Sequence, residues 1–201
     1  MKRRADLDVS RLPGFAFGSR AVTWWGVVGF LLIEGTMLTL CFVTYFYLRD
    51  RVTDWPPPPT TLPSLLIPTI NLFVMLASVV PVCFVDQSAK RLDVRKVKIW
   101  MVVCDLFGIA FVTLRVFEFR ALNVYWDTNA YGSIVWTIMG IHTFHLGSEV
   151  IETIVITAIL FRVRTEPKYL VDATDNALYW YFIVGIWVVC YALLYLAPRF
   201  L

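Results

Sequence analysis

The chain has 201 residues, of which 59% are hydrophobic and 16% are charged, and its mean hydropathy is +0.69. This composition excludes a water-soluble domain and is typical of an integral membrane protein, whose solvent is mostly lipid. The net charge of +3 does not indicate a nucleic-acid partner, because the basic excess lies in loops that can face anionic lipid head groups.

Five apolar stretches are long enough to cross a membrane as helices, since about 20 helical residues span roughly 30 Å of hydrocarbon. They lie near 24–48, 65–85, 97–119, 131–161 and 178–196. We expect the first stretch to be retained, because residues 1–20 lack the apolar core and the cleavage site of a signal peptide. The sequence therefore predicts an all-α fold, with a cytoplasmic N-terminal segment (1–23) and an integral membrane bundle of five transmembrane helices (24–201).

The basic residues between these stretches predict the orientation of the bundle, because such residues concentrate on the cytoplasmic side of a membrane. Thirteen of the 18 lie on one side: Lys2, Arg3, Arg4, Arg11, Arg20, Lys90, Arg91, Arg95, Lys96, Lys98, Arg162, Arg164 and Lys168. The other side has only Arg49, Arg51, Arg115, Arg120 and Arg199. We expect the N-terminus inside and the C-terminus outside.

A run of prolines follows the first predicted span, from Pro56 to Pro59. Such a run holds an extended polyproline conformation and predicts a stiff connector between two helices. Trp55, which precedes it, is expected at the membrane interface, where an indole keeps its ring among head groups and its N–H in contact with water.

The fourth predicted span contains four ionisable residues, His142, His145, Glu149 and Glu152. Their spacings of three, four and three residues place them on one face of a helix. Ionisable groups are costly at membrane depth and usually have a task, so we expect polar partners on neighbouring helices.

Counting about 1.5 Å per residue from the inner end of each span divides the buried charges into two layers. The inner layer is acidic and consists of Glu34, Asp105, Glu149 and Glu152. The outer layer is mixed in sign and consists of Arg115, Glu118, His142 and His145. No lysine or arginine of the predicted spans shares the depth of the inner carboxyls. These carboxyls are therefore expected to be protonated and to hydrogen-bond one another.

For the outer layer we expect Arg115 or a histidine to pair with Glu118, because an unpaired buried charge is strongly unfavourable. The role of this network is then structural. A metal site formed by His142, His145 and Glu118 is the alternative, since histidine and carboxylate ligands on facing helices build such sites in helix bundles.

Several motifs follow one another along the chain in a recognisable order. They are Phe30-Leu31-Leu32-Ile33-Glu34, Trp55-Pro56-Pro57-Pro58-Pro59-Thr60, Arg115-Val116-Phe117-Glu118-Phe119, Ala130-Tyr131-Gly132-Ser133, His142-x-x-His145, and Tyr179-Trp180-Tyr181-Phe182 with Trp187. With these motifs the chain resembles, over about residues 24–196, subunit III of the haem-copper cytochrome c oxidases in its short, five-helix bacterial form.

The resemblance implies an accessory subunit without a redox centre, packed beside subunit I (and II) of a cytochrome c or quinol oxidase in a bacterial inner membrane. Such a complex reduces oxygen to water in aerobic respiration and pumps protons. The subunit would stabilise subunit I and support proton uptake, with haem and copper in partner subunits and phospholipid as a structural ligand. The residues agree, because two histidines three apart on one helix cannot bracket a haem and no cysteine pair suits a binuclear copper site. We therefore assign no catalytic, cofactor-binding or metal-binding residue to this chain.

The chain also departs from the family pattern. Tyr181 and Val184 stand where the last helix commonly has a histidine and an aspartate, and Glu149 and Glu152 stand where the family is usually apolar or has glycine. The simplest interpretation of the inner carboxyls is a neutral network that fixes helix packing. The sharper hypothesis is that Glu34 with Glu149 or Glu152 buffers or relays protons for a neighbouring pump.

Two alternatives to an oxidase subunit have the same membrane architecture. One is an accessory subunit of a nitric oxide reductase complex. The other is an independent membrane transporter built around the carboxyls, which the sequence disfavours because it has no internal repeat and no paired glycine or proline breaks at mid-span.

Overall fold

The computed structural model describes residues 15–162 and 166–200. Its long helices are α1 (Val22–Arg49), α2 (Leu66–Lys90), α3 (Val94–Ala121), α4 (Ala130–Arg162) and α5 (Pro167–Tyr191). The chain continues from α5 through a π-helical turn (Ala192–Leu196) into the short helix α6 (Ala197–Phe200). Within the described residues, five helices are long and apolar enough to cross a membrane, which confirms the all-helical, five-span prediction.

Helix α5 begins before the fifth predicted span. The sequence placed the start of that span at Leu178, whereas α5 begins at Pro167, eleven residues earlier. Asp172 and Asp175 lower the local hydropathy and hid this part of the helix, while Pro167 begins it because its fixed φ suits the first helical turn. Polar residues assigned to a loop therefore lie on a helix of the bundle.

The N-terminal segment is described only in part. Residues 1–14 and 163–165 lie outside the described residues. The inner positions of Lys2, Arg3, Arg4, Arg11 and Arg164 therefore stay predictions. The described part of the segment contains a 3-10 turn at Gly18–Arg20, and α1 begins at Val22, two residues before the predicted span.

The helices α2, α3, α4 and α5 form the body of the bundle, and α1 packs on it against α4 and α5. Hydrogen bonds join α2 to α5, among them one from Trp180 Nε1 to Ser78 Oγ (3.0 Å) and one between the hydroxyls of Thr69 and Tyr191 (2.6 Å). At Gly108 the helices α3 and α4 approach closely, since a Cβ there would lie 2.8 Å from Val150 Cγ2. Small residues permit such contacts between membrane helices.

The connector after α1 folds back onto the bundle. Trp55 was expected at the membrane interface but is only 8% exposed. Its ring lies edge-on between those of Tyr45 and Tyr131, at centroid distances of 5.2 and 5.0 Å. Packing between two aromatic rings buries more apolar area than an interfacial position, and this explains the difference. The Trp-Pro segment therefore braces α1 against the start of α4.

Candidate functional site

An outer polar cluster is built around an ion pair on α3. Arg115 and Glu118 are one helical turn apart, and Arg115 Nη1 lies 2.9 Å from Glu118 Oε2 with both side chains buried. Asn71 of α2 donates from Nδ2 to the same oxygen at 2.9 Å. The predicted pairing of Arg115 with Glu118 is present in the structure, and the Asn71 amide, which the sequence did not single out, is bonded to it.

Arg115 also joins α3 to α4 and α5. Its guanidinium carbon lies 3.7 Å from the centroid of the Trp187 ring, and its Nη2 lies 3.2 Å from His142 Nδ1. Because a guanidinium can only donate, Nδ1 must accept. The other ring nitrogen, Nε2, then carries the proton and donates to the carbonyl oxygen of Ile183 at 3.2 Å. His142 is therefore a neutral imidazole held at both nitrogens.

This geometry argues against the alternative metal site. Both ring nitrogens of His142 have protein partners, Glu118 accepts from Arg115 and Asn71 at Oε2, and His145 lies beside Glu34 rather than in this cluster. Among residues 15–162 and 166–200, no group of three or more histidine, cysteine, aspartate or glutamate side chains is arranged to hold a metal ion. The cluster is suited to fixing helix positions rather than to binding a ligand.

An inner polar cluster surrounds Glu34 of α1, whose side chain is buried. The hydroxyl of Tyr179 lies 2.8 and 2.7 Å from its two carboxyl oxygens. Nε2 of His145 lies 3.4 Å from Oε1 of the same carboxyl. Glu34 therefore meets a phenol from α5 and an imidazole from α4.

His145 was assigned to the outer layer but contacts Glu34 in the structure. Because α1 begins two residues before the predicted span, Glu34 lies about 3 Å farther from the inner end than the count placed it. The depth estimate also followed only the rise of the backbone, whereas the side chains of Glu34 and His145 extend toward each other and close the remaining gap between the two helices. The histidines of the His-x-x-His motif thus belong to different clusters.

Glu149 forms the second part of the inner cluster. Its Oε1 accepts from Asn176 Nδ2 at 2.8 Å, and the same nitrogen lies 3.1 Å from Thr153 Oγ1. Glu149 is 1% exposed, and the acidic groups that act on it are Glu152, one turn along α4, and Glu34 of α1. Asn176 was missed because the fifth span was predicted to start two residues after it. The three-residue spacing of Asn176 and Tyr179, which puts them on one helix face, was the available signal.

The structure does not bring all four predicted inner carboxyls together. Asp105 is half-buried on α3, near Thr157. Glu152 is exposed on α4 and lines a cleft of about 510 Å³ between α1, α4 and α5. The predicted layer therefore divides by burial: Glu34 and Glu149 are buried, Asp105 is half-buried, and Glu152 is exposed to the cleft beside Glu149.

The cleft reaches the inner cluster. Its lining includes Phe30, Asp175, Asn176 and Tyr179, and the last two donate hydrogen bonds to Glu149 and Glu34 respectively. Asp175 is 6% exposed, and it was missed for the same reason as Asn176. Each buried carboxyl is thus one hydrogen-bonded side chain away from an opening in the bundle surface.

The fold and the two clusters define a class, a five-span helical membrane bundle whose buried polar groups join its helices. Comparison with known proteins identifies the family within that class. The family model described as cytochrome c oxidase subunit III matches residues 17–198. The chain belongs to the cytochrome c oxidase subunit III family, which confirms the resemblance found in the sequence.

Curated relatives agree with this assignment. Cytochrome c oxidase subunit 3 of Thermostichus vulcanus is 28% identical over 179 residues, which cover 87% of each chain. The protein of the same name from Synechocystis sp. is 26% identical over 201 residues, covering 96% of this chain and 84% of the relative. That of Bacillus subtilis is 26% identical over 175 residues, covering 83% and 82%. The chain is therefore a multi-pass membrane protein with the role of a subunit III in a multi-subunit oxidase.

Proposed function

We propose that the chain is the accessory, non-redox subunit III of a proton-pumping haem-copper oxidase and stabilises subunit I, with subunit II in the same complex. The observation that carries this proposal is the outer cluster, whose buried ion pair, imidazole and indole tie α2, α3, α4 and α5 together. The opposite charges are paired, and both imidazole nitrogens of His142 have partners on neighbouring helices, so the cluster serves the rigidity of the bundle. Oxygen reduction to water and electron transfer then belong to the partner subunits, which hold the haem and copper.

We also propose a bacterial inner-membrane location with the N-terminus inside. Support comes from the basic residues at the end of α2 and the start of α3, including Lys90, Arg91, Arg95 and Lys96. Lys90 lines one pocket with Gly18 and Trp24, so this end of the bundle is also the one where α1 begins. The bacterial relatives from Thermostichus vulcanus and Bacillus subtilis, which the match covers over 87% and 82% of their length, support the location. Phospholipid in the cleft between α1, α4 and α5 is the structural lipid that we propose for this subunit.

The inner cluster supports a second part of the proposal, that the subunit supports proton uptake. Glu34 and Glu149 are both buried inside the bundle, and each is bonded by a side chain that lines the same cleft. Their hydrogen-bonding partners are neutral groups, a phenol and an amide, with the His145 imidazole beside Glu34. A carboxyl in such surroundings can exchange a proton with the cleft without leaving a fixed cation unpaired.

This part is tested by proton pumping in the intact complex. We expect Glu34→Gln and Glu149→Gln to lower the number of protons pumped per electron in reconstituted vesicles, while the complex still assembles, because glutamine keeps the shape but cannot hold the proton. Asp105→Asn is the matched control, since it neutralises a carboxyl of α3 outside the cluster. Full pumping and full stability in both glutamine variants would overturn the proton role.

A further inference from the structure

The turn between α2 and α3 encloses a cavity that the proposed function does not use. It has a volume of about 280 Å³ and lies where α2 ends at Lys90 and α3 begins at Val94. Its lining combines two cations, Arg91 and Lys96, with the aromatic residues Phe84 and Trp100. A cavity with charged and aromatic walls at a helix end lies at the boundary between water and lipid.

The polar part of the cavity has one positive charge in excess. Asp93 caps α3 by accepting from the backbone N–H of Lys96 at 3.2 Å, and Lys96 Nζ lies 2.9 Å from its other carboxyl oxygen. These contacts with Lys96 lower the pKa of Asp93 below its ordinary value, so Asp93 is ionised at neutral pH. Asp93 offsets Lys96, and Arg91 remains as the excess cation. Its guanidinium fork matches the geometry of a phosphate.

The apolar part of the cavity lies deeper along the same two helices. The rings of Phe84 and Trp100 are stacked, with centroids 4.6 Å apart and planes 19° from parallel. Phe84 lies six residues before the end of α2, and Trp100 lies six residues after the start of α3. Each ring is therefore about 9 Å from the turn, toward the middle of the span. The cations near the turn and the aromatic pair nearer the middle of the span therefore form two zones along the membrane normal.

From this arrangement we propose that the α2–α3 turn is a binding site for an anionic phospholipid. The phosphate of the head group contacts Arg91 and Lys96, and an acyl chain lies against the Phe84–Trp100 pair. Gln87 and Ser88 also line the cavity and supply an amide and a hydroxyl as further donors. Free phosphate has the same charged group as the lipid head, but it has no acyl chain to pack against Phe84 and Trp100. Basic pockets between membrane helices are a general mode of recognising acidic lipids.

The experiment uses the intact purified complex, stripped of lipid by detergent and then supplied with defined lipids. Native mass spectrometry measures retention of phosphatidylglycerol, of phosphatidylcholine with the same acyl chains, and of inorganic phosphate. The test variant is Arg91→Gln/Lys96→Gln. The matched control is Arg95→Gln/Arg162→Gln, which removes two exposed cations from the same end of the bundle but from outside the cavity.

We expect the chain to retain phosphatidylglycerol in preference to phosphatidylcholine. The test variant should lose roughly 30-fold in affinity for phosphatidylglycerol, from the removal of two cations near a membrane surface, while the control stays close to the unmodified chain. Trp100→Leu should weaken phosphatidylglycerol binding without abolishing the preference for it. Equal retention of both lipids, an equal loss in the control, or phosphate binding as strong as lipid binding would each overturn the proposal. None of these outcomes depends on proton pumping, so this site and the proposed function are tested separately.

Discussion

Arg115 is a charged residue inside a membrane bundle, and that position dictates its partners. Glu118 supplies the opposite charge, Asn71 and His142 supply hydrogen bonds, and Trp187 covers the guanidinium plane. The pairing with Glu118 could be predicted from the sequence, because the two residues are three apart on one helix. The contacts with Asn71 and Trp187 could not, because the register between neighbouring helices does not follow from spacing along either one.

At this scale we predict the effect of breaking the ion pair. Arg115→Met should destabilise the bundle strongly, by roughly 3 to 5 kcal/mol, because it leaves the buried carboxylate of Glu118 without a cation. The double variant Arg115→Met/Glu118→Gln should be less destabilised than the single one, since no charge is left buried. Thermal unfolding of the three proteins in detergent measures both effects. A double variant less stable than Arg115→Met would show that the pair does not behave as a coupled unit.

The inner cluster shows that the sequence alone does not distinguish the buried carboxyls from the more exposed ones. Glu34 and Glu149 were predicted as members of one layer, and both lie in the buried cluster. Asp105 and Glu152 have the same chemistry and a similar depth, yet they lie outside it. What separates the two pairs is the direction in which each side chain leaves its helix, and this depends on how the helices are rotated against one another.

At the scale of helices and loops, the spans were predictable because hydropathy and length determine where a membrane helix can form. The exception is α5, whose first turns contain Asp172, Asp175 and Asn176. A hydropathy average over many residues assigns these polar residues to a loop. In the structure they lie on a helix, where Asn176 is bonded to Glu149 and Asp175 lines the cleft.

The turn that begins α4 contains a glycine, Gly132, whose replacement by alanine should destabilise the protein. Gly132 N donates to Asn129 Oδ1 at 2.8 Å, and a Cβ at Gly132 would lie 2.2 Å from the carbonyl oxygen of Tyr125. Gly132→Ala should therefore push the preceding loop away and destabilise the protein, on the order of 1 to 3 kcal/mol.

Gly140→Ala is the matched control on the same helix, since a Cβ there would meet nothing within 4 Å. It should be neutral or slightly stabilising, because alanine favours a helix by up to about 1 kcal/mol over glycine. Thermal unfolding of both variants in the same detergent compares them. A Gly132→Ala protein as stable as the control would contradict the close contact with Tyr125.

At the scale of the whole molecule, the chain is a bundle whose polar groups are largely turned toward one another. The family match over residues 17–198 places it in an oxidase complex. The family could be predicted from the sequence because its motifs recur in a fixed order, as Ala130-Tyr131-Gly132-Ser133 precedes His142-x-x-His145. The partner subunits and the orientation in the membrane are properties of the assembly, so they depend on surfaces that other chains supply.

The measurement that tests the central claim most directly is co-purification from native membranes. An affinity-tagged chain, extracted in mild detergent, should bring down a partner whose reduced-minus-oxidised spectrum shows haem, together with copper and oxygen-consuming activity. The isolated chain should show neither the spectrum nor bound copper. Recovery of the chain without a haem-containing partner would contradict the account and favour an independent transporter, and a partner that reduces nitric oxide but not oxygen would contradict the assignment to an oxidase.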